Sequence, residues 1–133
     1  MTYDQALSLV SAAIEQARRD YNRPICVAVC DAYGFPLAFG RMDGAPVRSI
    51  ALSQGKAYTA ARMCVDTDAF LERLHRENIP AAYFCDDKLT GLPGGSVIRD
   101  RAGKIVGAVG ISGLAPAEDV AIARASAALG AAF

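Results

Sequence analysis

Ala6, Leu7, Leu9, Val10, Ala13, Ile14 and Ala17 recur at intervals of three and four, the spacing that lines one side of an α-helix. Thr2, three residues before Gln5, fits a capping box, so a first amphipathic helix is expected up to about Tyr21. After Asn22 and Pro24 the period changes. The segment ICVAVCDAYGFPLAFGRMD has two β-rich arms around Asp31-Ala32-Tyr33-Gly34, a hairpin in which glycine takes the awkward turn angle. Pro36 suits the beginning of a strand or a sheet edge. From Ser49 to Arg62 the chain is rich in alanine and other helix formers, with Gly55 marking either close packing or a break. Asp66, Thr67 and Asp68 can cap a shorter helix running to about Arg76. The stretch from Asn78 to Gly95 contains CDDKLTGLPGG and reads as a loop. SVIRD and KIVGAVGIS then flank Arg101-Ala102-Gly103 as a second hairpin, where Gly107 and Gly110 allow another backbone or a ligand to come close. Pro116, with Glu118 and Asp119 in the first turn, opens a last helix to about Leu129. Two hairpins with terminal helices predict an α+β sandwich, its antiparallel sheet covered mainly on one side by helices.

Composition narrows the function classes. The 133 residues suffice for one domain, 1–133, with a real core. Fourteen basic side chains face fourteen acidic ones, so nucleic-acid binding has no electrostatic support. No apolar run approaches the roughly 18 residues of a membrane span. Met1 to Asp4 carries no basic region before an apolar one, and a cytoplasmic location is expected. Cys26, Cys30, Cys64 and Cys85 include no CxxC pair, which argues for reduced thiols and against a zinc knuckle or disulfide framework; no metal site is expected. Cys26 and Cys30 share one strand face as a buried pair, opposite Val27 and Val29. Cys64, near Arg62, reads as a partly buried, inert thiol.

A few polar residues stand where chemistry is possible. Arg41 and Asp43 share one side of a strand that stops at Gly44 and Pro46. Arg41 offers a planar fork for a carboxylate, and Asp43 can hold it or accept a proton; the alternative is an ordinary strand-end ion pair. Lys56, in the following helix, either points back to that strand end as a second cation or base, or is a solvated helix lysine. Gly94 and Gly95 can present consecutive backbone N–H groups to an anion, or simply form a tight connection. Ser112 and Gly113 lie just before the last helix, whose free N–H groups favour negative charge. Asp119 competes for that role.

Four segments carry a further signal: CDAYGFPLAFGRMDGAP at 30–46, GKAYTAA at 55–61, LPGG at 92–95 and VGAVGISGLAPAEDVAIA at 106–123. Together, in this order over nearly the whole chain, they closely resemble the GlcG/HbpS-like family, which includes the carboxy-terminal domain of PduO-type proteins. The resemblance implies a profilin-like α+β fold with an antiparallel sheet of about five strands and flanking helices. It also implies a homo-oligomer (dimer, tetramer or octamer), haem or tetrapyrrole binding, and genes placed beside catabolic enzymes. Haem iron takes an axial His, Met, Cys or Tyr, and its propionates take Arg or Lys. The one histidine, His75, sits among charges at a helix end. The first helix, where a family-type ligand is expected, has Arg18 and Arg19 and no histidine. Cys64, Tyr58 or Met42 could substitute, and spacing selects none of them, so the cofactor stays unassigned.

Two functions share the same pocket. One is a binding module, accessory to a catabolic pathway, that holds haem, a tetrapyrrole or a small organic anion with Arg41, Gly94, Gly95 and Ser112. The other is a metal-independent enzyme, an isomerase, tautomerase or hydrolase of a small carboxylic acid, in which Arg41 clamps the substrate and Lys56 or Asp43 moves a proton.

Overall fold

The computed structural model describes residues 1–133. The elements follow in the order α1 (Tyr3–Gln16), β1 (Cys26–Asp31), β2 (Pro36–Arg41), α2 (Arg48–Met63), α3 (Thr67–Glu77), β3 (Gly95–Arg99), β4 (Ile105–Ser112) and α4 (Pro116–Ala128). A single π turn, Ala17–Tyr21, extends α1, and a 3₁₀ turn, Ala81–Phe84, lies within the long 78–95 connection. Thr2 Oγ1 accepts from the Gln5 N–H while the Gln5 side chain accepts from the Thr2 N–H, the reciprocal cap that starts α1.

The sheet has four strands in the order β2-β1-β4-β3, all antiparallel. This corrects the expectation of about five. Each hairpin forms where its turn sequence predicts, and Pro36 begins β2, which is an edge strand and so loses nothing by lacking an N–H. The expected one-sided covering is also corrected. Helices α1 and α4 pack on one face and α2 on the other. The central strands β1 and β4 are buried on both faces, which matches their nearly continuous apolar sequences better than alternation would.

Alternation instead sorts two cores. Val27, Val29, Val109 and Ile111 join Leu9, Val10, Ala13 and Ile122 under α1 and α4. Ala28, Cys30 and Ala108 meet Ala57, Ala60 and Ala61 of α2. The second core is small-residue packing. Gly110 is the register partner of Ala28 on one side and Gly95 on the other. A Cβ at Gly110 would overlap the Ser53 carbonyl and stand 2.5 Å from the Ala57 nitrogen, and one at Gly95 would overlap the Lys56 carbonyl. Bare main chain on β3 and β4 therefore lets α2 lie against the sheet backbone. That approach fixes the depth of residues 53–57, Lys56 included.

Candidate functional site

On its sheet-facing side α2 buries a polar row, Ser49, Ser53, Lys56 and Thr59, at the spacing of one helix face. Lys56 is 4 % exposed. Its Nζ donates to the Ile111 carbonyl at 2.7 Å and to Asp119 Oδ2 at 3.1 Å. Asp119, 3 % exposed, also accepts the Leu114 N–H through Oδ1 at 3.1 Å. Burial pushes the Asp119 carboxyl above its ordinary range, and the Lys56 charge and hydrogen bond pull it partly back. Gly94 makes room for the pair: its φ is +118°, and a Cβ there would stand 3.0 Å from Lys56 Nζ and 2.8 Å from the Ile111 oxygen. Ser112 Oγ donates to Ser49 Oγ at 3.1 Å beside them. Lys56, Asp119, Ser49, Ser112 and Arg48 line a polar pocket of about 170 Å³.

The predicted site residues divide accordingly. Lys56, Gly94 and Ser112 come together, with Asp119 as the partner that sequence did not pair with Lys56. Arg41 and Asp43 do not join them. Arg41 is the last residue of β2, across β1 from Ser112, since Cys26 is the register partner of both. Two strand spacings put it about 10 Å away in the sheet. Asp43 lies beyond the strand end, in an exposed turn, so strand alternation does not apply to it. Neither makes an ion pair. Gly95 does not pair with Gly94 as an open anion nest, because its N–H donates to Thr67 Oγ1 at 2.9 Å in a buried position. The solvated-lysine alternative for Lys56 is excluded by its burial, and its expected turn toward Arg41 is replaced by the bond to Asp119.

A larger cleft, about 580 Å³, opens between α2, the β1–β2 hairpin and residues 87–90. Its walls include Ala28, Cys30, Pro36, Leu52, Gly55 and Tyr58. Tyr58 Oη donates to Asp86 Oδ2 at 2.7 Å. The Arg62 and Lys88 cations lie 4.9 and 5.4 Å from the Tyr58 ring centre. The bond to Asp86 raises the Tyr58 phenol and lowers the carboxyl. Burial pushes the Cys30 thiol up to about 12; its Sγ lies 3.4 Å from the Ala57 carbonyl oxygen and 3.7 Å from that of Ala108. Of the haem-ligand substitutes named from sequence, only Tyr58 lines the cleft. Cys64 is exposed at the end of α2, Met42 Sδ accepts the Ile25 N–H, and His75 is solvated in the last turn of α3.

A four-stranded antiparallel sheet between two helical layers, with a cleft beside α2 and a buried charge pair formed from the sheet-facing side of the same helix, defines a profilin-like α+β domain. The chain belongs to the HbpS-like family, whose model, described as haem degrading protein HbpS-like, matches residues 1–128. Protein GlcG of Escherichia coli is 36 % identical over 113 residues, 84 % of this chain and 81 % of GlcG. Among solved structures, a double mutant of HbpS from Streptomyces reticuli superposes with a TM-score of 0.86 at 30 % identity, over 97 % of this chain and 86 % of that one. The haem complex of PduOC superposes at 0.84 with 27 % identity, over 96 % and 93 %.

Proposed function

We propose that the chain is a small-ligand-binding protein whose 580 Å³ cleft takes a planar organic ligand of the haem and tetrapyrrole class, in a role accessory to catabolism. The observation that carries this is the cleft itself. Its volume falls within the usual range of small-molecule sites, and its walls are chiefly apolar with a few polar groups at the rim. The PduOC haem complex and the family description, haem degrading protein HbpS-like, support the ligand class, and the accessory role follows what the family resemblance implies about neighbouring catabolic genes. The iron is another matter. Tyr58 is committed to Asp86 as a donor, and Cys30 is a protonated thiol under the helix, so neither the phenol nor the thiol of the cleft is ready to ligate iron. The ring is held by apolar contact, and Lys88 at the rim meets one of its carboxylates.

Gly55 provides a clean test. A Cβ there makes only ordinary contacts, 3.7 Å to the Lys88 oxygen and to Thr90 Cγ2, and replacing a helix-interior glycine favours the helix by up to about 1 kcal/mol. Gly55→Leu should keep the fold and fill the cleft. Haemin and iron-free protoporphyrin IX should each saturate one site of the natural protein with similar affinity, and both should bind Gly55→Leu at least about tenfold more weakly. A linear, unsaturable rise in Soret absorbance would count against the cleft, as would unchanged binding by the variant. Strong preference for haemin over the iron-free ring would overturn the account of the iron.

The free edge of β2 and its turn expose Tyr33, Phe35 and Phe39, and this apolar row supports assembly into a homo-oligomer. Light scattering should then return at least twice 14.0 kDa, and a mass of one chain would count against assembly.

A further inference from the structure

The pocket around Lys56 and Asp119 adjoins the cleft at Leu52, is otherwise lined by different residues, and has a chemistry of its own. A buried Lys–Asp pair is seldom better for stability than two apolar side chains of the same volume. Here the pair is also incompletely used. An ammonium has three N–H donors, and Lys56 donates to two acceptors, Ile111 O and Asp119 Oδ2. The third N–H has no acceptor in the chain, and Lys56 forms part of the pocket wall. Ser49 and Ser112 bring two hydroxyl protons and share one hydrogen bond between them, which leaves another donor in the same wall. Arg48 stands at the mouth, exposed, with neither a hydrogen bond nor an ion pair from its guanidinium. Two cations against the one Asp119 carboxylate leave the lining one positive charge in excess.

The space sets the ligand's size. At roughly 30 Å³ per water, 170 Å³ corresponds to about six waters, or an organic anion of about two to four carbons. We propose that this pocket is a second ligand site, taking a small monocarboxylate held by the Arg48 fork at the mouth and by the free Lys56 and serine donors at the base. Lys56 has a positioning part as well as a contact, because Asp119 and the Ile111 carbonyl fix its ammonium before any ligand enters. An anion that completes its third hydrogen bond meets a donor already dehydrated and oriented, which raises the gain per contact. Planar tetrapyrroles are far too large for this space and stay with the cleft.

Uniformly ¹⁵N-labelled protein would be titrated with propanoate, pyruvate and neutral propanamide. Either acid should shift the amide signals of Ser49, Gly113 and Leu114 and saturate at one site below about 20 mM. Propanamide should not. Arg48→Gln, on the exposed first turn of α2, should keep the spectrum of the fold and weaken the acids at least about tenfold, while leaving protoporphyrin binding at the cleft unchanged. No saturable shift with either acid, equal binding of propanamide, or undiminished binding by Arg48→Gln would each overturn the site. Failure of the cleft experiment leaves this result unaffected, since the two use different residues and different probes.

Discussion

Replacing Lys56 by methionine isolates the buried charge pair. The side chain is one heavy atom shorter and loses its charge, so packing beside Gly94 and Gly110 is largely preserved and Asp119 is left in place with one partner fewer. Asp119 would retain only the Leu114 N–H. Stranding one member of a buried ion pair typically costs about 3–5 kcal/mol. The pocket beside it can admit water, so the lower end of that range applies. In a domain of this size, that loss corresponds to a fall of roughly 10–20 °C in Tm.

The pH dependence separates this from ordinary core damage. Burial holds the Asp119 carboxyl above its ordinary range in the native protein, with Lys56 opposing. A folded-state pKa above the unfolded value means that proton uptake favours the fold; the penalty is fully present above the folded pKa and disappears as pH falls toward the unfolded value. Without Lys56 the carboxyl rises further, and each added pKa unit costs about 1.4 kcal/mol at neutral pH. Urea unfolding followed by circular dichroism from pH 7.5 down to about 4.5 should therefore show the deficit of Lys56→Met shrinking on the acid side. The double variant Lys56→Met/Asp119→Leu should recover much of the lost stability at pH 7.5 and lose the extra pH dependence. A single variant within about 1 kcal/mol of the natural protein at pH 7.5, with a parallel pH profile, would refute the claim that the pair is buried and mutually dependent.

Two further outcomes follow from the small-residue face and the thiols. Gly110→Ala would drive a methyl into the Ser53 carbonyl and to within 2.5 Å of the Ala57 nitrogen, both rigid backbone, so α2 must lift; chemical denaturation should show a loss above about 3 kcal/mol or no folded protein. Cys30, with its pKa near 12, and buried Cys26, raised by burial, should resist iodoacetamide at pH 8, where Cys30 is thiolate to about one part in ten thousand. Intact mass should then show two additions to the native protein, at exposed Cys64 and Cys85, and four in urea.

Local signals were sufficient for the elements. The Thr2–Gln5 cap, the 31–34 turn, Pro36 at an edge and Pro116 at the start of α4 all act within a few residues, and each stands where its sequence predicts. The layering was less legible. Two antiparallel hairpins ordinarily suggest one covered face, yet CVAVC and GAVGI are apolar or small at nearly every position, and such strands have no solvent side to offer. The glycines of β4 pointed to a close approach without saying to what; the neighbour is the backbone of α2.

The site divides along the same line between local and distant information. Arg41 and Asp43 look like a pair because they are two residues apart, but a strand that ends at Arg41 no longer imposes a common face on Asp43. Lys56 and Asp119 are 63 residues apart, and their bond depends on how closely α2 meets the sheet. An Asp in the first turn of a helix already has a sufficient local explanation in the helix dipole, so nothing in the sequence marks Asp119 as half of a distant pair. Two successive glycines suggest open N–H donors, but the N–H of Gly95 is spent on Thr67. The missing Cβ of Gly94 is what leaves space for the ammonium beside the Ile111 carbonyl. Any side chain at position 94 would displace Lys56 before it displaced a ligand.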